Sequence, residues 1–149
     1  MSKQPAVPYE TTLRVRDTCL CLHTQRAGRA LARRFDKVFR PLGLTSGQFS
    51  LLMALNRPEP PAMAAVAALL AMDRTTLTAA LKPLERRGLV EVKAGSRDKR
   101  SRLLTLTPAG VTLLAAALPV WERTHAEAEG GLERLDADRL RGALRSISG

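Results

Sequence analysis

The chain has 149 residues, a formal net charge of +10, 45% apolar residues and few aromatics: three Phe, one Trp and one Tyr. That length is one domain with room for a real core, and no run of about 18 apolar residues is present to cross a bilayer. Paired carboxylates, Ser-His-acid sets, glycine-rich phosphate loops and zinc spacings are absent from the sequence, so no enzyme, cofactor or metal is expected. The charge is uneven. Lys and Arg outnumber Asp and Glu by eight to two over residues 12–40 and nine to four over 73–102, but trail five to six over 103–149. Basic clusters of this kind neutralise polyanions, or form a solvated arginine-rich face.

Residues 1–11, with Pro5 and Pro8 and no periodicity, read as a flexible N-terminal arm. From about Thr12 to Phe39 no proline intervenes, and one long helix is expected. Leu13, Leu20, Ala27, Leu31 and Val38 trace a heptad-like seam on it, with Leu22, Ala30, Phe35 and Phe39 beside them. So much apolar surface on a terminal helix needs a partner. Arg40-Pro41-Leu42-Gly43 ends it. Thr45 or Ser46, with Gln48 just inside, can cap a second helix whose inner face is Phe49, Leu52, Met53 and Asn56.

After the rigid connector Arg57-Pro58-Glu59-Pro60-Pro61 comes a short amphipathic helix around Met63, Val66, Ala67 and Leu70. Only Ala71-Met72-Asp73 separates it from the next, which is helix-turn-helix spacing. In that next helix Leu77, Ala80, Leu81 and Leu84 share one face, and Thr75, Ala79, Lys82 and Arg86 point the opposite way. Asp73 can cap its start and Gly88 can stop it. Pro83 removes a donor at a cost of roughly 3 kcal/mol in an ordinary helix interior, so a single bent helix is expected.

Beyond Gly88 the period falls to two. Val90 and Val92 alternate with Leu89, Glu91 and Lys93, and Leu104 and Leu106 with Leu103, Thr105 and Thr107, a half-buried hairpin. Its loop, AGSRDKRS, is polar and basic. Thr107-Pro108 opens another helix, through Val111, Leu114, Ala115, Leu118 and Trp121 to about Glu129, bent at Pro119. Gly130-Gly131 breaks it. Leu132, Leu135, Leu140, Leu144 and Ile147 form a last amphipathic stretch, capped by Asp136.

The order describes a mainly α protein with a small β-hairpin wing (α+β). Residues 45–110 are expected to be a winged helix-turn-helix DNA-binding region, and 12–44 with 111–149 a helical dimerisation region, since N- and C-terminal helices with open faces pair most economically in a symmetric dimer. Cys19 and Cys21, two apart on a helix, diverge and cannot pair, which places the chain in a reducing cytoplasm. MSKQPAVPYE has no hydrophobic leader segment.

Three stretches carry a resemblance to the MarR family of transcriptional regulators: Leu44 to Leu55 (LTSGQFSLLMAL), Met72 to Val90 (MDRTTLTAALKPLERRGLV) and Arg97 to Gly110 (RDKRSRLLTLTPAG). The last holds the family's Asp-x-Arg wing signature as Asp98 and Arg100, and its Leu-Thr-x-x-Gly close as Leu106, Thr107 and Gly110. Pro83 falls where proline recurs in such regulators. The resemblance implies a homodimer on pseudo-palindromic duplex DNA, a repressor released by a small ligand or oxidant. Physical reasoning adds the roles. The recognition helix enters the major groove, where all four base pairs are distinguishable. Thr75 and Ala79, flanked by Arg74, Thr76 and Thr78, are the base-edge candidates, and Lys82 and Arg86 the phosphate contacts. Relatives often carry a basic residue where this chain has Ala79, so a direct contact there is apolar. Arg100, held by an ion pair to Asp98, would enter the minor groove, with Arg97 and Lys99 on the flanking phosphates. Asp98 is alternatively an ordinary turn residue.

The effector is expected at the junction of the dimer helices and the winged core, with Arg16, His23, Arg26 and Arg29 favouring an aromatic acid or other anion and Trp121 lining the pocket or interface. A second reading uses Cys21 as an oxidant sensor. Its position eight residues before Arg29 resembles that of the reactive cysteine of the family's organic-hydroperoxide sensors. The activating tyrosine positions are Gln25 and Phe35 here, and no third cysteine can resolve an oxidised Cys21. The bland reading makes both cysteines small apolar residues of a buried helix. A third reading is a winged-helix module for protein contacts, which calls for an apolar wing instead of Arg97, Lys99 and Arg100.

Overall fold

The computed structural model describes residues 6–149. Its helices are α1 (Tyr9–Thr18), α2 (Leu20–Phe39), α3 (Ser46–Leu55), α4 (Met63–Leu70), α5 (Arg74–Arg86), α6 (Pro108–Gly130) and α7 (Ala137–Ser148). Strands β1 (Val90–Ala94) and β2 (Arg102–Leu106) form an antiparallel pair with Val90 opposite Leu106 and Ala94 opposite Arg102. Among the described residues no single helix is long and apolar enough to cross a membrane.

The first helix differs from expectation. The arm is already helical from Tyr9, while residues 1–5 lie outside the described residues. The long helix is divided at Cys19, which adopts an extended conformation (φ −69°, ψ 111°) and accepts the Leu22 N–H on its Sγ at 3.4 Å, so that it caps α2. Cys19 is half-buried and Cys21 exposed, so neither is a buried packing residue within the protomer.

The other boundaries follow the local chemistry. Thr45 and Gln48 close a reciprocal capping box at α3, and Asp36 on α2 accepts the Ser46 N–H at 2.6 Å, anchoring the start of α3 to α2. Met53 and Asn56 are exposed, whereas Phe49, Leu51, Leu52, Ala54 and Leu55 are buried; this helix is flanked on several sides and has no single inner stripe. Pro83 and Pro119 both lie inside continuous helices. Asp136 caps α7.

The core lies between α3, α4, α5 and the strands, closed by the end of α2 and by α6. Phe39, Leu52, Val66, Leu77, Leu84, Leu104 and Ala117 are fully buried. Each large apolar side chain so buried contributes roughly 1.5–3 kcal/mol. An aromatic ladder crosses it, from Phe35 to Phe39 (5.9 Å between centroids), Phe49 (4.8 Å), Trp121 (6.3 Å) and His125 (4.6 Å). The wing is fixed at its root: the Thr107 N–H donates to Leu89 O at 3.0 Å and its hydroxyl to Gly88 O at 2.6 Å, while Thr107 Oγ1 accepts the Gly110 N–H. A Cβ on Gly110 would collide with the Leu89 carbonyl.

Candidate nucleic-acid interface

The turn between α4 and α5 bends the chain by 104°, within the range of helix-turn-helix units. Ala71 makes the bend by taking the left-handed conformation (φ 51°), unusual for a residue with a Cβ. Asp73 then caps α5: Oδ1 accepts the Thr76 N–H at 2.7 Å and Oδ2 the Thr76 hydroxyl at 2.8 Å. The Thr76 backbone donor, first among several hydrogen bonds, holds the Asp73 carboxyl below the usual aspartate range.

With Leu77, Leu81 and Leu84 buried, α5 turns Arg74, Thr75, Thr76, Thr78, Ala79, Lys82 and Arg86 to solvent. Their hydroxyls are not equivalent. Thr76 is spent on Asp73 and Thr78 donates to Arg74 O at 2.8 Å, whereas the Thr75 hydroxyl has no hydrogen-bond partner among the described residues. The helix stops where Gly88 takes φ 71°.

The wing tip runs from Gly95 to Ser101. Here the expected ion pair is replaced by a turn: Asp98 Oδ1 accepts the Arg100 backbone N–H at 2.9 Å, and Asp98 O accepts the Ser101 N–H and hydroxyl at 3.1 and 2.7 Å. A carboxylate two residues earlier in the chain reaches the main-chain N–H more easily than it reaches the end of a guanidinium. Arg97, Lys99 and Arg100 are all exposed. β2 is further fastened to the connector by an Ala62–Leu103 bridge and a Leu104 N–H donated to Pro61 O at 3.0 Å.

One residue the sequence reading passed over belongs to this surface. Arg102 donates through Nη1 to Lys99 O (3.0 Å) and Ser101 O (3.3 Å), bracing the tip from its base. Two clefts of about 260 Å³ lie beside it, one shared with Arg74, Asp98 and Arg100, the other with Arg74, Thr78 and Glu85. The recognition helix and the wing thus border the same hollows. The only available signal was Arg102's place in the basic run.

The expected effector residues do not converge on the junction of helices and core. His23, Arg26 and Arg29, joined by Arg33, line a basic groove of about 550 Å³ along α2, and Arg16 lies on α1 paired with Asp17 at 2.7 Å. The junction holds a different hollow, an apolar cleft of about 360 Å³ bordered by Phe49 and Met53 of α3, Leu69 of α4, and Leu118 and Trp121 of α6. Cys21 Sγ accepts the Gln25 amide at 3.3 Å. Among the described residues no group of three or more His, Cys, Asp or Glu is placed to hold a metal ion.

A right-angled helix pair, an exposed polar helix face and a basic hairpin beside it define a winged helix-turn-helix protein. The MarR family model matches residues 42–101. The chain is 36% identical to the Mycobacterium tuberculosis regulator MosR in its DNA complex, which covers 88% of this chain and 94% of that one with a TM-score of 0.80. It is 33% identical over 105 residues to the transcriptional regulator HosA of Escherichia coli O127:H6, 70% of this chain and 77% of HosA. It is 29% identical to the organic hydroperoxide resistance transcriptional regulator of Bacillus subtilis over 68% of this chain and 69% of that protein. The chain belongs to the MarR family of DNA-binding transcriptional regulators.

Proposed function

We propose that two copies of the chain pair through residues 12–44 and 111–149, lay their α5 helices into successive major grooves of a pseudo-palindromic operator with residues 45–110, and repress transcription in the cytoplasm until a small ligand releases them. One observation supports the reading: the Arg74, Thr78 and Glu85 flank of α5 and the wing, through Arg100 and Arg102, border neighbouring clefts beside the exposed face of the helix. Thr75 and Ala79, with Arg74, Thr76 and Thr78 around them, meet base edges, while Lys82 and Arg86 meet phosphates. Arg100 enters the minor groove, Arg97 and Lys99 flank it, and Asp98 shapes the turn that presents it. Exposed Leu20, Leu31, Leu135, Leu144 and Ile147 supply the pairing surface. Selecting bound sequences from random duplexes tests this directly. Recovery of inverted repeats with half-sites about one helical turn apart is expected; no enrichment, or enrichment of single asymmetric sites, defeats it.

The apolar Trp121 cleft suits a flat aromatic body, and its walls come from both α6 and the winged core, so filling it would alter the spacing of the two α5 helices. The basic α2 groove with His23, Arg26 and Arg29 suits the anionic group of the class. Thermal shifts across salicylate-like anions should include stabilising members. A second reading is favoured by the exposure of Cys21 and its Gln25 contact, by which oxidation of the thiol releases DNA. Release by hydroperoxide that persists in Cys21→Ser removes it.

A further inference from the structure

A major groove and the adjacent minor groove are separated by one sugar-phosphate strand. A protein that places a helix in the first and a hairpin in the second must straddle that strand, and whatever lies between helix and hairpin faces its phosphates. In this chain the space between is hollow and lined with arginine. Arg74, on the first turn of α5, and Arg102, at the start of β2, border both clefts there, and Arg100 stands on the wing side of one. Against these three guanidiniums stand Asp98, with Oδ1 already taken by the Arg100 N–H, and Glu85 in the second cleft. Among the described residues none of the three arginines is in an ion pair. Uncompensated like charges side by side repel, and an anion between them removes the repulsion.

We propose that Arg74 and Arg102, with Arg100 at the rim, clamp a single phosphodiester of the strand between the two grooves, and that Arg102 both binds that phosphate and holds the wing tip at the height the strand requires. Nη1 of Arg102 is committed to the Lys99 and Ser101 carbonyls, and the other edge of the fork remains for phosphate oxygens, the geometry guanidinium favours. Closing on the phosphate and setting the wing are then one event. The inference rests on the DNA-binding reading above.

The test uses the full chain and a duplex recovered by selection, with neutral methylphosphonate linkages stepped singly along each strand. One linkage per half-site, between the base pairs faced by α5 and by the wing, should weaken wild-type binding about tenfold. Arg102→Ala should weaken binding to the unmodified duplex by a similar factor, become less sensitive to that linkage than wild type because only Arg74 and Arg100 still face it, and lower the slope of log K against log salt by about 0.9 per clamp. Arg102→Lys should restore the slope while recovering only part of the affinity. Circular dichroism melts identify folded variants, and Arg102→Gln replaces Arg102→Ala should the latter fail to fold. An uncharged variant that stays as sensitive to the linkage as wild type, or loses affinity with an unchanged slope, reduces Arg102 to a brace and overturns the clamp. Failure of the wild type to bind any duplex sinks the DNA reading beneath it, and is seen before a variant is made.

Discussion

The winged core and the terminal helices use the same leucine-rich amphipathic pattern to opposite effect. α5 buries Leu77, Leu81 and Leu84 completely, whereas α1 and α7 bury nothing, leaving Leu144 44% and Ile147 61% exposed. The difference shows that amphipathy alone does not create a core. Between α3 and β2 most apolar side chains meet others from the same chain; at the two ends the faces are made and left open. The ion pair from Arg141 to Glu129 links α7 to α6, while Arg141 also bonds Asp138 within α7, and exposed ion pairs are weak glue.

That contrast can be broken by matched substitutions. Leu84→Ala should cost roughly 2–5 kcal/mol of unfolding free energy in denaturant titrations, while Leu144→Ala should cost far less at low protein concentration. Equal losses would show that both leucines are core. A charge on the open faces, Leu31→Glu with Ile147→Glu, should weaken self-association by about ten- to a hundredfold in sedimentation experiments, each lost apolar burial contributing roughly 1.5–3 kcal/mol, with the fold intact by circular dichroism. In the core the exposed cations sharpen the comparison. Arg100→Ala should cost about 1–3 kcal/mol on operators with A·T-rich flanks and less on G·C-rich ones, whereas Lys82→Ala should weaken all duplexes alike. The smallest effect is acid sensitivity. The Asp73 carboxyl is held below its ordinary value in the folded chain, so its cap contributes fully above about pH 4 and is lost as pH falls through the folded value. Wild type should therefore lose more melting temperature than Asp73→Asn on acidification through that window, and equal losses would show that the cap does not titrate with the fold.

The core was largely legible because its signals are local. Asp73, Thr45, Asp136 and the Thr107-Pro108 pair sit within three residues of the donors they satisfy or relieve. Gly110 gained its reason only from the fold, where the Leu89 carbonyl occupies the space of a side chain. The break at Cys19 had no proline or glycine to announce it, and a thiol is a weak and unusual cap. At the wing, charge drew attention to an Asp98–Arg100 ion pair, but main-chain proximity won. Arg102 was hidden because its partners, the carbonyls of Lys99 and Ser101, converge only once the hairpin has turned. Arg16, His23, Arg26 and Arg29 stand out in the sequence by charge near one another along the chain, whereas the junction cleft is built from residues spread over α3, α4 and α6, which no local pattern joins.

Trp121 is the sole tryptophan in the chain. It stands at the wall of the apolar cleft, against Phe49 on one side and the His125 imidazole on the other. Tryptophan emission from the chain therefore arises at one spot, and any occupant of the cleft registers there without a dye or label. The molecule carries its own optical gauge where α3 and α6 meet.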